Sequence, residues 1–241
     1  MTSIEILFLI ALLSSVQSVI GVGLLVFGTP TLVLLGFQYD EILSLVLPPS
    51  IAISCLQTFE LRDIRNNFYR DFNFFCLPFV FIGLVMILHF SPNTEFLKYP
   101  IGSMLVLSGL IRLSPALDQL LSKFIYNQKK LFLFIIGSIH GLTNMSGGLL
   151  TLYSSSLNNR NKELTRHGIA YGYLIMGSLQ YIVLIFLKPH FFSISTLLHT
   201  VVAIFIYRLF GKLLFKSINE TLFRHIVSSV IFFYGIALIL K

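Results

Sequence analysis

The polar stretches of this chain are too short to build a soluble domain. The longest connector between apolar runs is Ser114 to Lys130, and others, such as Arg62 to Asp71 and Asn158 to His167, hold only ten residues each. Hydrophobic residues make up 56% of the 241 positions and charged residues 11%. A bilayer-spanning helix needs about 20 apolar residues, so the length holds about eight membrane segments and little else. The fold class that follows is an all-α polytopic membrane protein. Enzymes that work on an extended soluble domain are thereby excluded.

The membrane segments are not all alike. Six apolar runs are continuous: Ile42 to Leu61, Phe72 to Phe90, Ile101 to Leu117, Gly168 to Leu187, Ile194 to Phe210 and His225 to Leu240. Two others, Ser14 to Pro30 and Gly137 to Tyr153, are interrupted by glycines and small polar residues where a spanning helix would carry leucine. A shift of 123 places Gly21 on Asn144, Gly23 on Ser146, Pro30 on Tyr153 and Gln57 on Gln180. Interruptions at corresponding points of two halves mark the binding region of transporters built from repeats. The expected organisation is an N-terminal repeat over 1–120, with a broken segment at 4–36 and three spans, and a C-terminal repeat over 121–241, with a broken segment at 131–157 and three spans. Ser91 to Glu95 is expected to be a tight turn, and Ser114 to Lys130 the linker between repeats.

Lysine and arginine placement decides how the broken segments run, because cytoplasmic loops accumulate these residues. If each broken segment enters and returns on one side as a re-entrant hairpin, fourteen of the seventeen basic residues fall together, leaving Lys98, Lys188 and Lys241 opposite. If each crosses once, the split is nine to eight. The hairpin arrangement therefore places the basic loops 62–71, 112–130, 158–167 and 208–224 in the cytoplasm and both termini outside, in a cell (inner) membrane. It also makes each repeat odd in its side changes, so the two repeats are inverted. On this basis the net charge of +7 serves topology and anionic lipid rather than nucleic acid.

Non-helical backbone survives at membrane depth only where protein buries it or a cavity needs it. The arm Leu131 to Leu142 is about 18 Å long at 1.5 Å per residue, which brings its tip near the bilayer centre. A helix starting near Gly147 would then present unpaired N–H groups and its positive dipole end there. The first segment's helix, starting near Gly23 and Leu24, would point inward from the other side. Two such ends form an anion site without a basic residue. The expected substrate-binding residues are Gly21, Gly23, Thr29, Gln57, Thr143, Asn144, Ser146, Gly147, Gly148 and Gln180. Gln57 and Gln180 flank the centre from opposite faces or bond neighbouring helices. His140, the ionisable group inside the motifs, is either a proton relay or an imidazole bonded to a carbonyl. Gly137 and Gly141, four apart, have the spacing of helix packing.

The spelling Gly-x-x-x-Gly-x-x-Gly-x-Gly-Gly-Gly, then four residues and a proline, in two copies, resembles the TauE/SafE sulfite exporter family. The first copy keeps Gly21, Gly23 and Pro30, has Leu24 and Leu25 in glycine positions, and has Ser14 and Ser18 at the two leading ones. The second keeps Gly137, Gly141, Gly147 and Gly148, with Asn144 and Ser146 for two glycines and Tyr153 for the proline. The resemblance implies a permease for small organic or inorganic anions such as sulfite, sulfonates or related carboxylates. Leu24 and Leu25 leave open whether both tips contribute.

No catalytic group, cofactor or metal is expected. Cys55 and Cys76 lack metal-ligand spacing and are expected to be packed thiols, and Ile4 to Ile20 lacks the basic start and cleavage site of a signal peptide. The expected partners are a small anion and the lipid bilayer, with a homo-oligomer possible. Two other function classes frame the expectation. A membrane scaffold subunit would have a solid interior. A serine hydrolase built on Ser146, with His167 or His140 as the base, would need that base within hydrogen-bond reach, and no second histidine is spaced to face Ser146 on a defined helix.

Overall fold

The computed structural model describes residues 3–60, 68–90, 94–158, 161–191, 194–211 and 220–240, and among them every regular element is a helix. Helix α1 (Ser3–Ile20) ends at Gly21, where φ is +84°, and the chain resumes as a π-helical turn (Leu24–Gly28) that runs into α2 (Thr29–Leu34). There follow α3 (Tyr39–Glu60), α4 (Phe68–Phe75), α5 (Leu77–Phe90), α6 (Thr94–Leu113) and α7 (Pro115–Asn127). The second broken segment is α8 (Lys129–Thr143) and α9 (Gly147–Leu157). After it come α10 (Lys162–Leu187), α11 (Ile194–Ile206), a π-helical turn (Tyr207–Gly211) and α12 (Glu220–Leu240). Five stretches, Tyr39–Glu60, Phe68–Phe90, Phe96–Leu113, Lys162–Leu187 and Ile194–Gly211, are long and apolar enough to cross a membrane. The chain is an all-α polytopic membrane protein.

Local chemistry accounts for the boundaries. Ser114 accepts a hydrogen bond from the Leu117 N–H at 3.4 Å and Pro115 occupies the first helical position, so most of the expected linker Ser114 to Lys130 is the helix Pro115–Asn127. The expected span Ile101 to Leu117 accordingly stops at Leu113. Asn161 accepts from Leu164 N at 3.0 Å and starts α10 inside what was expected to be a polar connector. Pro78 follows the turn at Cys76 that divides α4 from α5; lacking an N–H, proline interrupts the helical ladder there. The connector core 61–67 and most of the expected turn Ser91 to Glu95 lie outside the described residues, as do Arg62, Arg65, Arg160, Lys212, Lys216 and Lys241.

The helices pack in pairs. α6 lies along α12, α3 along α10, α5 against α8, and α11 against α1 and α3. The α6–α12 contact is close because glycines open it on both sides: a Cβ on Gly109 would meet Phe232 Cβ at 2.7 Å, and one on Gly235 would meet the Gly102 carbonyl at 2.8 Å. In the α5–α8 contact a Cβ on Gly137 would collide with the Cys76 carbonyl, and one on Gly141 would reach the Val80 carbonyl at 2.6 Å. These two glycines therefore pack helices, as small-residue stripes do in membranes. α2 and α9, the arms after the two breaks, both touch α6, while the π-helical turn of the first arm packs on α3 and α9 packs on α10.

Contacts fix the direction of the arms. Gln17, near the end of α1, meets Ser50, Ser54 and Gln57 in the latter half of α3. α1 and α3 thus run the same way, and residues 21–38 carry the chain back. Likewise His140, near the end of α8, meets Gln180 late in α10, while α9 ends beside the start of α10, where Asn158 Nδ2 donates to the Leu164 carbonyl at 3.4 Å. The boundaries of the two halves keep the 123-residue offset: α1 ends at Ile20 and α8 at Thr143, and the arms resume at Leu24 and Gly147. The backbone does so too, with positive φ at Gly21 (+84°) and at Asn144 (+60°).

Candidate functional site

The two breaks touch. Asn144 takes the left-handed conformation that ends α8, a conformation asparagine tolerates better than most residues, and its Nδ2 donates to Thr29 Oγ1 in the first arm at 3.1 Å. Gly147 opens α9 against Val26 of the first arm and Tyr173 of α10; a Cβ there would overlap both the Tyr173 hydroxyl and Val26 Cγ2. Gly148 faces α6, where a Cβ would meet Ser108 Oγ at 2.5 Å. The start of α9 is thus enclosed by the π-helical turn of the first arm, α6 and α10, with glycine at the two positions where the walls come closest.

Polar groups at this point are unequally satisfied. Ser146 is the N-cap residue of α9, a position whose hydroxyl ordinarily accepts from the helix's first N–H groups, yet it makes no such bond. Its Oγ lies 2.9 Å from His140 Nδ1 instead. His140 Nε2 is 3.0 Å from Gln180 Oε1, and Gln180 Nε2 donates back to the His140 carbonyl at 3.5 Å. His140, Asn144, Ser146 and Gln180 are fully buried. The buried Tyr173 hydroxyl and Asn144 Oδ1 find no hydrogen-bond partner among the described residues. Buried polar groups are normally paired, and these two stand unpartnered beside an uncapped helix start; Ser14 Oγ and Gln57 Oε1 stand unpartnered at the first break among the described residues.

The first break is built differently. Gln17 Oε1 accepts from the Leu24 N–H at 3.2 Å, and Gln17 Nε2 donates to the Ser50 carbonyl (3.1 Å), Ser50 Oγ (3.0 Å) and Ser54 Oγ (3.3 Å). The protein's own amide occupies the first arm's start, where an anion was expected. Leu24 and Leu25 are 0% and 1% exposed, so both are core residues. Gln57 Nε2 donates to the carbonyls of Gln17 (3.2 Å) and Ser18 (3.4 Å), tying down the end of α1.

The expected residues therefore divide. Thr29, His140, Asn144, Ser146, Gly147, Gly148 and Gln180 come together at the second break. Gln57 serves the first break, away from that cluster. Gly21 packs on Ile169, 3.2 Å from where its Cβ would sit, and a Cβ on Gly23 would meet the Gln17 backbone nitrogen at 2.5 Å, so both are close-packed positions. Thr143 bonds within its own turn, to Ile139 O (2.7 Å) and from Met145 N (3.2 Å). At the first break Arg166 Nη2, from the first turns of α10, donates to the Ser18 carbonyl at 3.1 Å, so a basic side chain reaches the end of α1 although neither motif contains one. A histidine also faces Ser146, because the left-handed residue Asn144 bends the chain and brings His140, six residues earlier, within reach.

Sequence reasoning missed Gln17, Tyr173, Ser108 and Arg166. Gln17 alone had a signal: it precedes His140 by the same 123 residues, and each lies 40 residues before the glutamine it meets.

The family model described as Sulfite exporter TauE/SafE matches residues 6–238, nearly the whole chain. No curated protein and no solved structure matches. That family consists of membrane transporters for anions and not of enzymes, so the Ser146–His140 contact belongs to a transport protein. From its two glycine-broken segments through the last helix, this chain belongs to the sulfite exporter TauE/SafE family.

Proposed function

We propose that the chain carries a small sulfur-containing anion, sulfite or an organic sulfonate, or a related carboxylate, by alternating access between two inverted repeats, 1–120 and 121–241. The anion sits at the second break. The single observation that carries this is the uncapped start of α9: the N-cap hydroxyl of Ser146 is turned to His140, leaving the N–H groups of Gly147, Gly148 and Leu149 without a side-chain acceptor among the described residues. A tetrahedral or pyramidal oxyanion accepts several N–H bonds at such an end and gains from the helix dipole. The Tyr173 hydroxyl, orphaned against Gly147, adds a donor from α10. Asn144 and Thr29 join the halves across the site, so parting them changes access to it.

The repeat assignment is supported by the matching positive-φ residues and by the pairing of helices. At an offset of 123, α5 corresponds to α11 and α1 to α8, so the α5–α8 and α1–α11 contacts are exchanged by a two-fold relation. The α3–α10 and α6–α12 pairs then lie on its axis. In this reading the basic connectors face the cytoplasm and both termini lie outside a cell membrane. The test is flux of radiolabelled sulfite and small sulfonates in liposomes, with Asn144→Leu and Gly147→Leu as comparisons. Unchanged flux in both variants would sink the site assignment.

A further inference from the structure

We propose that His140 and Ser146 form a proton-controlled donor switch, in which protonating the imidazole turns the Ser146 hydroxyl toward an anion at the start of α9. The inference rests on the reading of that helix start as the anion site. His140 acts through Ser146 and is a positioning residue.

The hydrogen positions follow from one fixed acceptor. The His140 carbonyl can only accept, so the Gln180 group facing it is the amide NH2, and Gln180 Oε1 must be the atom facing the ring. Oε1 is itself an acceptor, so His140 Nε2 carries a hydrogen and donates it. In the neutral ring Nδ1 is then bare, and its partner among the described residues is Ser146 Oγ at 2.9 Å, whose O–H must point at the ring. With the ring neutral, the serine offers an anion lone pairs and no hydrogen.

Adding one proton reverses a single bond. It binds at Nδ1, which becomes a donor to Ser146 Oγ, and the Gln180 bond keeps its direction. The serine hydrogen is displaced and rotates to the remaining side of the oxygen. Because Ser146 is the N-cap residue, an anion held by the Gly147 to Leu149 N–H groups lies within hydrogen-bonding range of that oxygen. No covalent bond other than N–H forms or breaks, and the proton leaves to water when the anion does. Proton and anion thereby favour each other's binding, as linkage requires. Each state pairs the hydroxyl, whereas an anion against a neutral His140 would meet an oxygen lone pair.

The ring's own partners are uncharged, and the Arg112 guanidinium acts electrostatically on Tyr173 beside them. From α10 the ring meets Gln180 and Tyr173, whose ring centroid is 6.1 Å away. From α9 it meets Ser146. α5 contributes the Phe79, Val80 and Gly83 backbone against Gly141, and the α4–α5 turn brings Cys76 to Gly137, one turn back along α8. From α6, Arg112 is engaged by Ser228 of α12. α7, with Asp118 and Lys123, joins α8 at its start, eleven residues or about 16 Å along the axis from His140.

The experiment uses the full chain in lipid nanodiscs and proteoliposomes, with radiolabelled isethionate, a sulfonate whose charge does not change between about pH 5 and 8, around the ordinary histidine range. Wild-type affinity is expected to rise as pH falls, by up to about tenfold per unit for one linked proton. An inward isethionate gradient should acidify a vesicle lumen containing a pH dye. His140→Gln should carry isethionate more slowly, with a flat pH profile and no acidification. Ser146→Ala keeps the imidazole and should lose most of the pH slope. Saturable wild-type binding with a flat profile overturns the switch and leaves the site reading standing, and a wild-type slope in Ser146→Ala also overturns it. No saturable binding of isethionate or sulfite by the wild type, with the helix start therefore unable to hold an anion, overturns both.

Discussion

Gln17→Met separates a one-sided site from a two-sided one. Methionine matches glutamine in length and removes the amide. Ser50 and Ser54 can then turn their hydroxyls to carbonyls four residues back on their own helix, as Thr58 does at 2.8 Å. The Leu24 N–H has no such recourse, because it starts a helical turn and its acceptor was Gln17 Oε1. One buried donor left unpaired costs about 1–3 kcal/mol. For a chain of this size that lowers the melting temperature by roughly 2–10 °C, readable by fluorescence-detected unfolding in detergent. The second break shares no hydrogen bond with Gln17, so sulfite affinity should stay within about twofold of wild type, the usual limit for uncoupled positions. Wild-type melting in Gln17→Met would refute the cap, and an affinity loss beyond about tenfold would show that the first break belongs to the site.

Gly147→Ala forces apart the Tyr173 hydroxyl and Val26; overpacking of this kind costs about 1–3 kcal/mol, and sulfite binding should weaken at least about tenfold in equilibrium dialysis. Gly137→Leu drives a side chain into the Cys76 carbonyl, so size-exclusion chromatography should find aggregate in place of a monodisperse peak. Gly36→Ala meets nothing within 4 Å and is strained only by its φ of +84°; it should lose about 1–2 kcal/mol and remain monodisperse. Arg166→Met removes charged hydrogen bonds to the Ser18 carbonyl and the Tyr207 hydroxyl (3.3 Å), so unfolding should come earlier by about 1.5–3 kcal/mol for a bond to a charged group, and unchanged melting would count against this link.

The breaks themselves were legible in the chain because glycine and asparagine stand where a continuous helix needs neither. Resumption at Leu24 and Gly147, and positive φ at Gly21 and Asn144, fall where the spelling changes. Spacing did not reveal which way each residue turns. Gly21 and Gly23 occupy break positions yet face Ile169 and Gln17, because the first arm folds back onto its own helix. Gln17 was hidden for a different reason: its partners lie 33 to 40 residues away on α3, and a single amide in an apolar run does not announce them. Tyr173 is one of ten tyrosines, and only the approach of α9 to α10 gives it a role. The linker's helix was not read from the sequence, although Ser114 and Pro115 carry the signal of a helix start.

The packing of α5 on α8 and of α1 on α11 has a consequence for biosynthesis. As the chain leaves the ribosome, α1 carries Ser14, Gln17 and Ser18 into the lipid first, and α3 can meet Gln17 soon afterwards. Arg166, Ile169 and α11, which complete the enclosure, are made more than a hundred residues later. Until then the Ser18 carbonyl and the Gly21 turn have an incomplete wall. The stretch between α3 and α10 is therefore the interval in which a membrane chaperone would have something to hold, and in which substitutions at Gln17 or Gln57 would lower yield before they altered transport.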